Sequence, residues 1–163
     1  LKIFTTMDIK HFLKSMAPVQ LLGFSTSSSG ATLPLTMKRC EKDLGISEEI
    51  SSFVLPLGAT INMDGTALYQ GVAAVFIAQA VGMDLTLANQ FTIVATAVLA
   101  SIGTAAVPGA GIIMLIIILE AINVPSEGIA LILGVDRILD MIRTATNVTG
   151  DATVASVMDS LER

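Results

Sequence analysis

The chain has 163 residues, 53% of them hydrophobic and only 14% charged, and nine Lys and Arg against fourteen Asp and Glu leave a formal net charge of −5. Soluble domains of this size carry about 25% charge, whereas here no charge at all lies between Asp64 and Asp84 or between Asp84 and Glu120. Crossing a bilayer core takes roughly 20 apolar residues, so the composition excludes an ordinary soluble enzyme or nucleic-acid binder. It is that of a multi-pass membrane protein or the embedded part of one. A single Cys, Cys40, excludes an internal disulfide, and a single His, His11, leaves no imidazole cluster for a transition metal. No secretory signal pattern opens the chain, and without an initiator Met it is expected to be cut from something longer.

Taken in chain order, the first predicted element is a hairpin over 11–37, whose uncharged block 15–37 is broken by "FSTSSSGATLP". Ser25–Gly30 followed by Pro34 argues against a helix interior. Lys2, Lys10 and Lys14 precede this block and Lys38, Arg39 and Lys42 follow it, which places both its ends on the cytoplasmic side. A segment that starts and finishes on one side dips in and returns. Next comes a transmembrane helix over 50–82 broken by "NMDGT", with Gly65 as the expected breaker. The third block, 91–119, is interrupted by "SIGTAAVPGAG" around Pro108, and its flanks at 83–90 and 120–128 hold no Lys or Arg. A second hairpin entering from the opposite side is predicted. The fourth block, 129–158, reads as one helix. The expected fold class is therefore all-α, one domain over 1–163, with two re-entrant helical hairpins plus one broken and one amphipathic transmembrane helix. That is the same unit twice, inverted, a recurring plan of secondary transporters.

Polar residues inside these blocks carry the chemistry. At ~100° per residue, Asp136, Asp140, Arg143, Asn147 and Asp151 share one stripe less than a quarter-turn wide, with Thr144 at its edge. An Asp or Arg at the centre of a membrane helix costs roughly 2.5–3.5 kcal/mol, so these groups must face partners, ions or water. Salt bridges Asp136–Arg137 and Asp140–Arg143 would satisfy some of them but leave Asn147 and Asp151 unexplained. Asp140 with Arg143 is also the pair that would hold a zwitterion bearing an extra carboxylate. In "NMDGT", Asn62 and Asp64, with Thr60 and Thr66 flanking and backbone carbonyls freed by unwinding, offer an all-oxygen cage for a hard cation. "STSSSG" offers hydroxyls and N–H groups at a half-helix start, where an anion is favoured, and "GTAAVPGAG" offers small residues able to close over it. No nucleotide-binding glycine motif occurs. "LGVD" and "VTGD" lack the G-x-G-D form expected of an intramembrane aspartyl protease, so an enzyme is not expected.

"SSSGATLP", "LPLGATINMDGTALYQ", "ASIGTAAVPGAG" and "LDMIRTATNVTGD" together resemble, in order and spacing, the four signature regions of the dicarboxylate/amino acid–cation symporters. The resemblance covers about Ser25 to Ser156 and implies the C-terminal transport domain of a plasma or inner membrane protein. The N-terminal scaffold that makes the family trimeric would lie outside this chain. It implies a small acidic amino acid as substrate, held by Ser28 and Ser29 in the first tip and Val107 and Gly111 in the second. Asp140 would take the α-amino group, Arg143 the side-chain carboxylate and Asn147 the α-carboxylate, with Thr66 and Thr144 assisting. Sodium ions, or protons as the alternative coupling ion, would use Asn62, Asp151 and Asn147, then Thr60, Met63, Ser101, Ile102 and Thr104, and Asp64 with Asn62. Arg143 separates acidic from neutral amino acid carriers, and Asp140 separates amino acid from dicarboxylate carriers. Glutamate or aspartate moved by elevator-type alternating access is thus the implied function, an anion-conducting channel or an inactive fragment being the alternatives. Two positions depart from the pattern. Gln70 replaces a titratable Glu of the excitatory members, and Ser27 stands where some members carry an Arg, whose charge Arg137 is expected to supply.

Overall fold

The computed structural model describes residues 1–163 and contains only helices. Helix α1 spans Ile9–Thr26 and α2 Ser29–Lys42, followed by α3 (Glu48–Ile61), α4 (Asp64–Ala80), α5 (Leu87–Ile102) and α6 (Ala110–Ala121). A 3-10 turn at Ser126–Leu131 leads into α7, Leu133–Glu162. Local chemistry starts most of them. The side chains of Asp8, Ser28, Ser47 and Thr86 accept hydrogen bonds from the first-turn N–H groups of α1, α2, α3 and α5, as good N-caps do. Glu48 and Glu49 add negative charge at the N-terminal end of α3.

The breaks are shorter than the sequence predicts. Between α1 and α2 only Ser27 and Ser28 are non-helical, and Pro34 lies inside α2. Of the Ser25–Gly30 stretch expected to interrupt the helix, Ser25, Thr26, Ser29 and Gly30 are therefore helical. Between α3 and α4 the break falls on Asn62 and Met63, while Gly65 is helical. Gly65 is needed for a different reason: a Cβ there would stand 2.6 Å from the carbonyl oxygen of Arg143. The missing side chain lets α4 lie against the backbone of α7.

Two cores hold the chain together. Phe12, Met16 and Val19 of α1 pack with Ile50 and Leu55 of α3 and with Val148, Ala152 and Ala155 in the second half of α7. Ala73, Ala74 and Ile77 of α4 pack with Ile93 and Ala97 of α5 and Leu115, Ile118 and Leu119 of α6. Helix α7, ~45 Å long at 1.5 Å per residue, touches both groups. Many large apolar side chains face outward instead, among them Phe53 (69% exposed), Leu68 (69%) and Phe91 (76%). Apolar exposure of this extent marks a partner or lipid surface. The segments 50–82 and 129–158 were expected to cross a membrane, yet no helix is both long and apolar enough to do so. The first is split into two short helices, and α7 has the length but carries the polar stripe.

Candidate functional site

The stripe on α7 faces the protein. Asp136, Asp140, Arg143, Thr144, Asn147 and Asp151 are all buried, because α7 is covered by α1, α3 and α4 along its length. Arg143 donates from Nε (2.8 Å) and approaches with Nη2 (2.8 Å) the same oxygen, Asp140 Oδ1. The other oxygen, Oδ2, accepts the Gly109 backbone N–H at 2.9 Å. The guanidinium also sits over the Tyr69 ring, 4.5 Å from its centre, a favourable cation–π distance. Its Nη1 is buried and has no partner. Asp136 does not pair with Arg137, which lies off the stripe and is exposed; its carboxylate accepts the Tyr69 hydroxyl at 2.6 Å. Arg137 is thus in no position to supply a charge to the buried site.

Two tips close over this pair. Ser28 Oγ (2.7 Å) and Gly30 N–H (3.3 Å) both donate to the Ala106 carbonyl, joining the α1–α2 turn to the α5–α6 connection. Between them and α7 remains a cavity of about 10 Å³, room for no more than about one water. Of the residues expected to hold substrate, Ser29, Thr66, Val107, Gly111, Asp140, Arg143, Thr144 and Asn147 line this cavity. Ser28 does not. Its hydroxyl is used up in capping α2 at Ala31 N–H (3.1 Å) and in the bond to Ala106. Ser27 lines the cavity instead, buried, with its Oγ unpartnered. It takes a left-handed backbone (φ 51°) at the end of α1. Ala105, Ala106 and Ala110 also line it and were missed, since alanines carry no chemical signal in a sequence.

The residues expected at cation sites separate into groups. Asn62 Nδ2 donates to Asp151 Oδ1 at 2.9 Å. Asn62 and Asp64 both reach the bare Cα of Gly150, where a Cβ would stand 2.9 Å from Asn62 Nδ2 and from Asp64 Oδ2. Glycine at 150 therefore lets one amide and two carboxylates gather at the α3–α4 break, and Asn62 and Asp151 open into a groove of about 270 Å³ between α3 and α7. Such hard oxygen donors without His or Cys suit an alkali cation. Asn147 forms a second group. Its Oδ1 accepts Gly65 N–H at 2.8 Å, and its Nδ2 points to Thr66 Oγ1 (3.1 Å) and Met63 Sδ (3.6 Å). Thr60 and Ser101 turn their hydroxyls back onto carbonyls of their own helices and Thr104, just past α5, onto the Ala100 carbonyl of that helix, and Thr60 and Ile102 are exposed. No hydrogen bond ties these four residues to the Asn62–Asp151 pair. No cluster of three or more His, Cys, Asp or Glu is assembled anywhere in the chain.

Comparison with known proteins fits a site built of these parts. The model of the sodium:dicarboxylate symporter family matches residues 1–161. The chain is 49% identical over 156 residues to the proton/sodium-glutamate symport protein of Bacillus subtilis, covering 96% of this chain and 36% of that protein. It is 48% identical to excitatory amino acid transporter 3 of Mus musculus (94% of this chain, 29% of that one) and 46% identical to excitatory amino acid transporter 1 of Rattus norvegicus (93% and 28%). Each is named as a transporter or symport protein rather than as an enzyme. The chain spans about a third or less of the length of these relatives. With nearly all of its residues matched, it belongs to the sodium:dicarboxylate symporter family.

Proposed function

We propose that this chain is the substrate- and cation-binding part of a multi-pass membrane symporter that carries an acidic amino acid, L-glutamate or L-aspartate, with sodium or protons. The observation that carries this reading is the buried Arg143–Asp140 pair beneath the two tips, with Arg143 Nη1 left without a partner. A buried guanidinium donor with nothing to bond is costly, and a carboxylate is the group that would satisfy it bidentately. Asp140 neutralises Arg143. A zwitterionic acidic amino acid would divide the pair, its ammonium replacing Arg143 at Asp140 and its side-chain carboxylate taking the freed guanidinium. The Asn147 amide and the Ser29 and Thr66 hydroxyls stand around the same cavity, ready to accept or donate to the α-carboxylate. A cavity of about 10 Å³ is far smaller than such a ligand, so the Ser28–Ala106 joint must part before loading.

Cation coupling rests on the Asn62–Asp64–Asp151 group. The carboxylates of Asp64 and Asp151 repel each other at the α3–α4 break, and a co-transported cation lodged there would relieve that repulsion. The break also delivers Met63 and Gly65 to Asn147, so filling it would brace the substrate cavity through one residue. In this reading the pairs α1–α2 and α5–α6 are re-entrant hairpins of an inverted repeat, and their outward apolar faces meet lipid or the scaffold of a longer, trimeric protein. The assembly moves as a body across the membrane in an elevator cycle.

The test is radiolabelled L-aspartate uptake by the full-length parent protein in proteoliposomes, under an inward sodium gradient and separately under a proton gradient. Uptake driven by either gradient is the expected result and names the coupling ion. Anion current without aspartate uptake under either gradient would overturn the symport reading.

A further inference from the structure

Asp136 is a buried carboxylate on the α7 stripe that neither the substrate nor the cation reading uses. It lies seven residues, two turns, before Arg143 on the same face, and the two form no ion pair. Asp136 Oδ1 accepts the Tyr69 hydroxyl at 2.6 Å, and the Tyr69 ring carries the Arg143 guanidinium at 4.5 Å. Both Asp136 and Tyr69 are buried, so the bond is shielded from competing water. The guanidinium is also bounded by Gly111 of α6, whose Cα leaves no room for a side chain beside Nη1. Arg143 therefore lies against both a ring that is tied in place and a bare backbone. Asp140 holds Nε and Nη2, and only Nη1 remains free.

We propose that Asp136 is a positioning residue for acidic-substrate selectivity. By fixing the Tyr69 hydroxyl it fixes the ring on which Arg143 rests, and so keeps the guanidinium presented to a side-chain carboxylate after Asp140 has turned to the substrate ammonium. The need for such a support is physical. Once the Asp140 contact is given up, the ring is the one side chain left against the guanidinium beside the Gly111 backbone, and an untied Tyr at the end of two rotatable bonds would let it swing. The proposal rests on the function proposed above.

It is tested in the full-length protein with Asp136→Ala, Asp136→Asn and Tyr69→Phe, measuring L-aspartate KM and maximal uptake rate, with L-asparagine as a competitor of the same shape lacking the side-chain charge. Losing a buried hydrogen bond to a charged group is worth about tenfold in affinity. Asp136→Ala and Tyr69→Phe are each expected to raise the aspartate KM about tenfold with little change in maximal rate or in asparagine inhibition. Asp136→Asn, whose amide oxygen can still accept from Tyr69, is expected to restore most of the affinity. The Tyr69→Phe, Asp136→Ala double variant should be no worse than either single one, because both remove the same bond. Equal losses for aspartate and asparagine, additive effects, or an Asn variant as impaired as the Ala variant would overturn the assignment. Should Asp136→Ala not fold, the Tyr69→Phe and Asp136→Asn pair decides it alone. Absence of aspartate uptake by the unaltered protein would overturn both this assignment and the function beneath it; normal uptake with unchanged aspartate KM in the variants would overturn this assignment only.

Discussion

The two tips that close the cavity do the same job with different material. The α1–α2 turn is closed by its own side chains. Ser28 Oγ caps α2, Thr26 Oγ1 accepts the Ser28 N–H (3.3 Å), and Thr32 Oγ1 donates to the Ser28 carbonyl (2.8 Å). The α5–α6 connection, Gly103–Gly109, has one such tie, Thr104 Oγ1 to the Ala100 carbonyl (2.8 Å) at its start, and no polar side chain beyond it. Gly109 is left-handed (φ 77°) and α6 starts without a side-chain cap. Its external bonds come from elsewhere: Asp140 takes the Gly109 N–H, and Ser28 and Gly30 donate to the Ala106 carbonyl. A turn that satisfies its own polar groups keeps its shape when its neighbours leave, and one held by its neighbours does not. The second tip is thus the one whose order depends on what occupies the site.

The strongest way to break this contrast is Asp140→Ala. It removes the acceptor for Gly109 and strands the Arg143 charge, a change of about 3–5 kcal/mol for a broken buried pair. Hydrogen exchange is expected to speed up across 103–111 while 26–30 stays protected, and equal acceleration at both tips would show that they are not different in kind. Gly111→Ala acts next, because its Cβ collides with Arg143 Nη1. Overpacking of this sort costs about 1–3 kcal/mol, and the loss should appear in aspartate KM and in exchange at the second tip. Ser28→Ala removes a helix cap and one of two bonds to Ala106. A thermal destabilisation of about 1 kcal/mol is expected, with faster exchange at both tips, since this residue is what they share.

The smallest effect lies outside the predicted membrane segments and serves as the control. Burial alone would raise the pKa of Asp159, but the Ser47 backbone and hydroxyl and the Arg163 guanidinium outweigh it and hold the carboxyl below its usual range. A depressed folded-state pKa stabilises the fold above the unfolded value, about 3.9, and that contribution is lost as the pH falls through the folded value. Asp159→Asn should therefore flatten the acid limb of stability below about pH 4, leaving exchange at both tips unaltered. Altered tip exchange in this variant would mean that the tips report global stability and not local anchoring.

The all-helical class, the polar stripe on α7 and the existence of interruptions near Ser27, Asn62 and Pro108 could be read from the chain, because helical period and capping chemistry are local. Burial of Asp140, Arg143, Asn147 and Asp151 followed from the same argument, since charges sharing one face of an apolar helix cannot be left in hydrocarbon. Packing decided the rest. Gly65 looked like a helix breaker, but only the fold reveals that it is a contact point for α7. Ser27 and Ser28 are neighbours of the same type, and the geometry of a two-residue turn, not their identity, sends one hydroxyl to the cavity and the other to Ala106. Tyr69 and Asp136 are far apart in the chain, and their hydrogen bond exists because α4 and α7 happen to face each other at that height. Periodicity says which face a residue occupies; what stands opposite that face is settled by tertiary contacts, where a missing Cβ or a single hydroxyl fixes the approach of two helices.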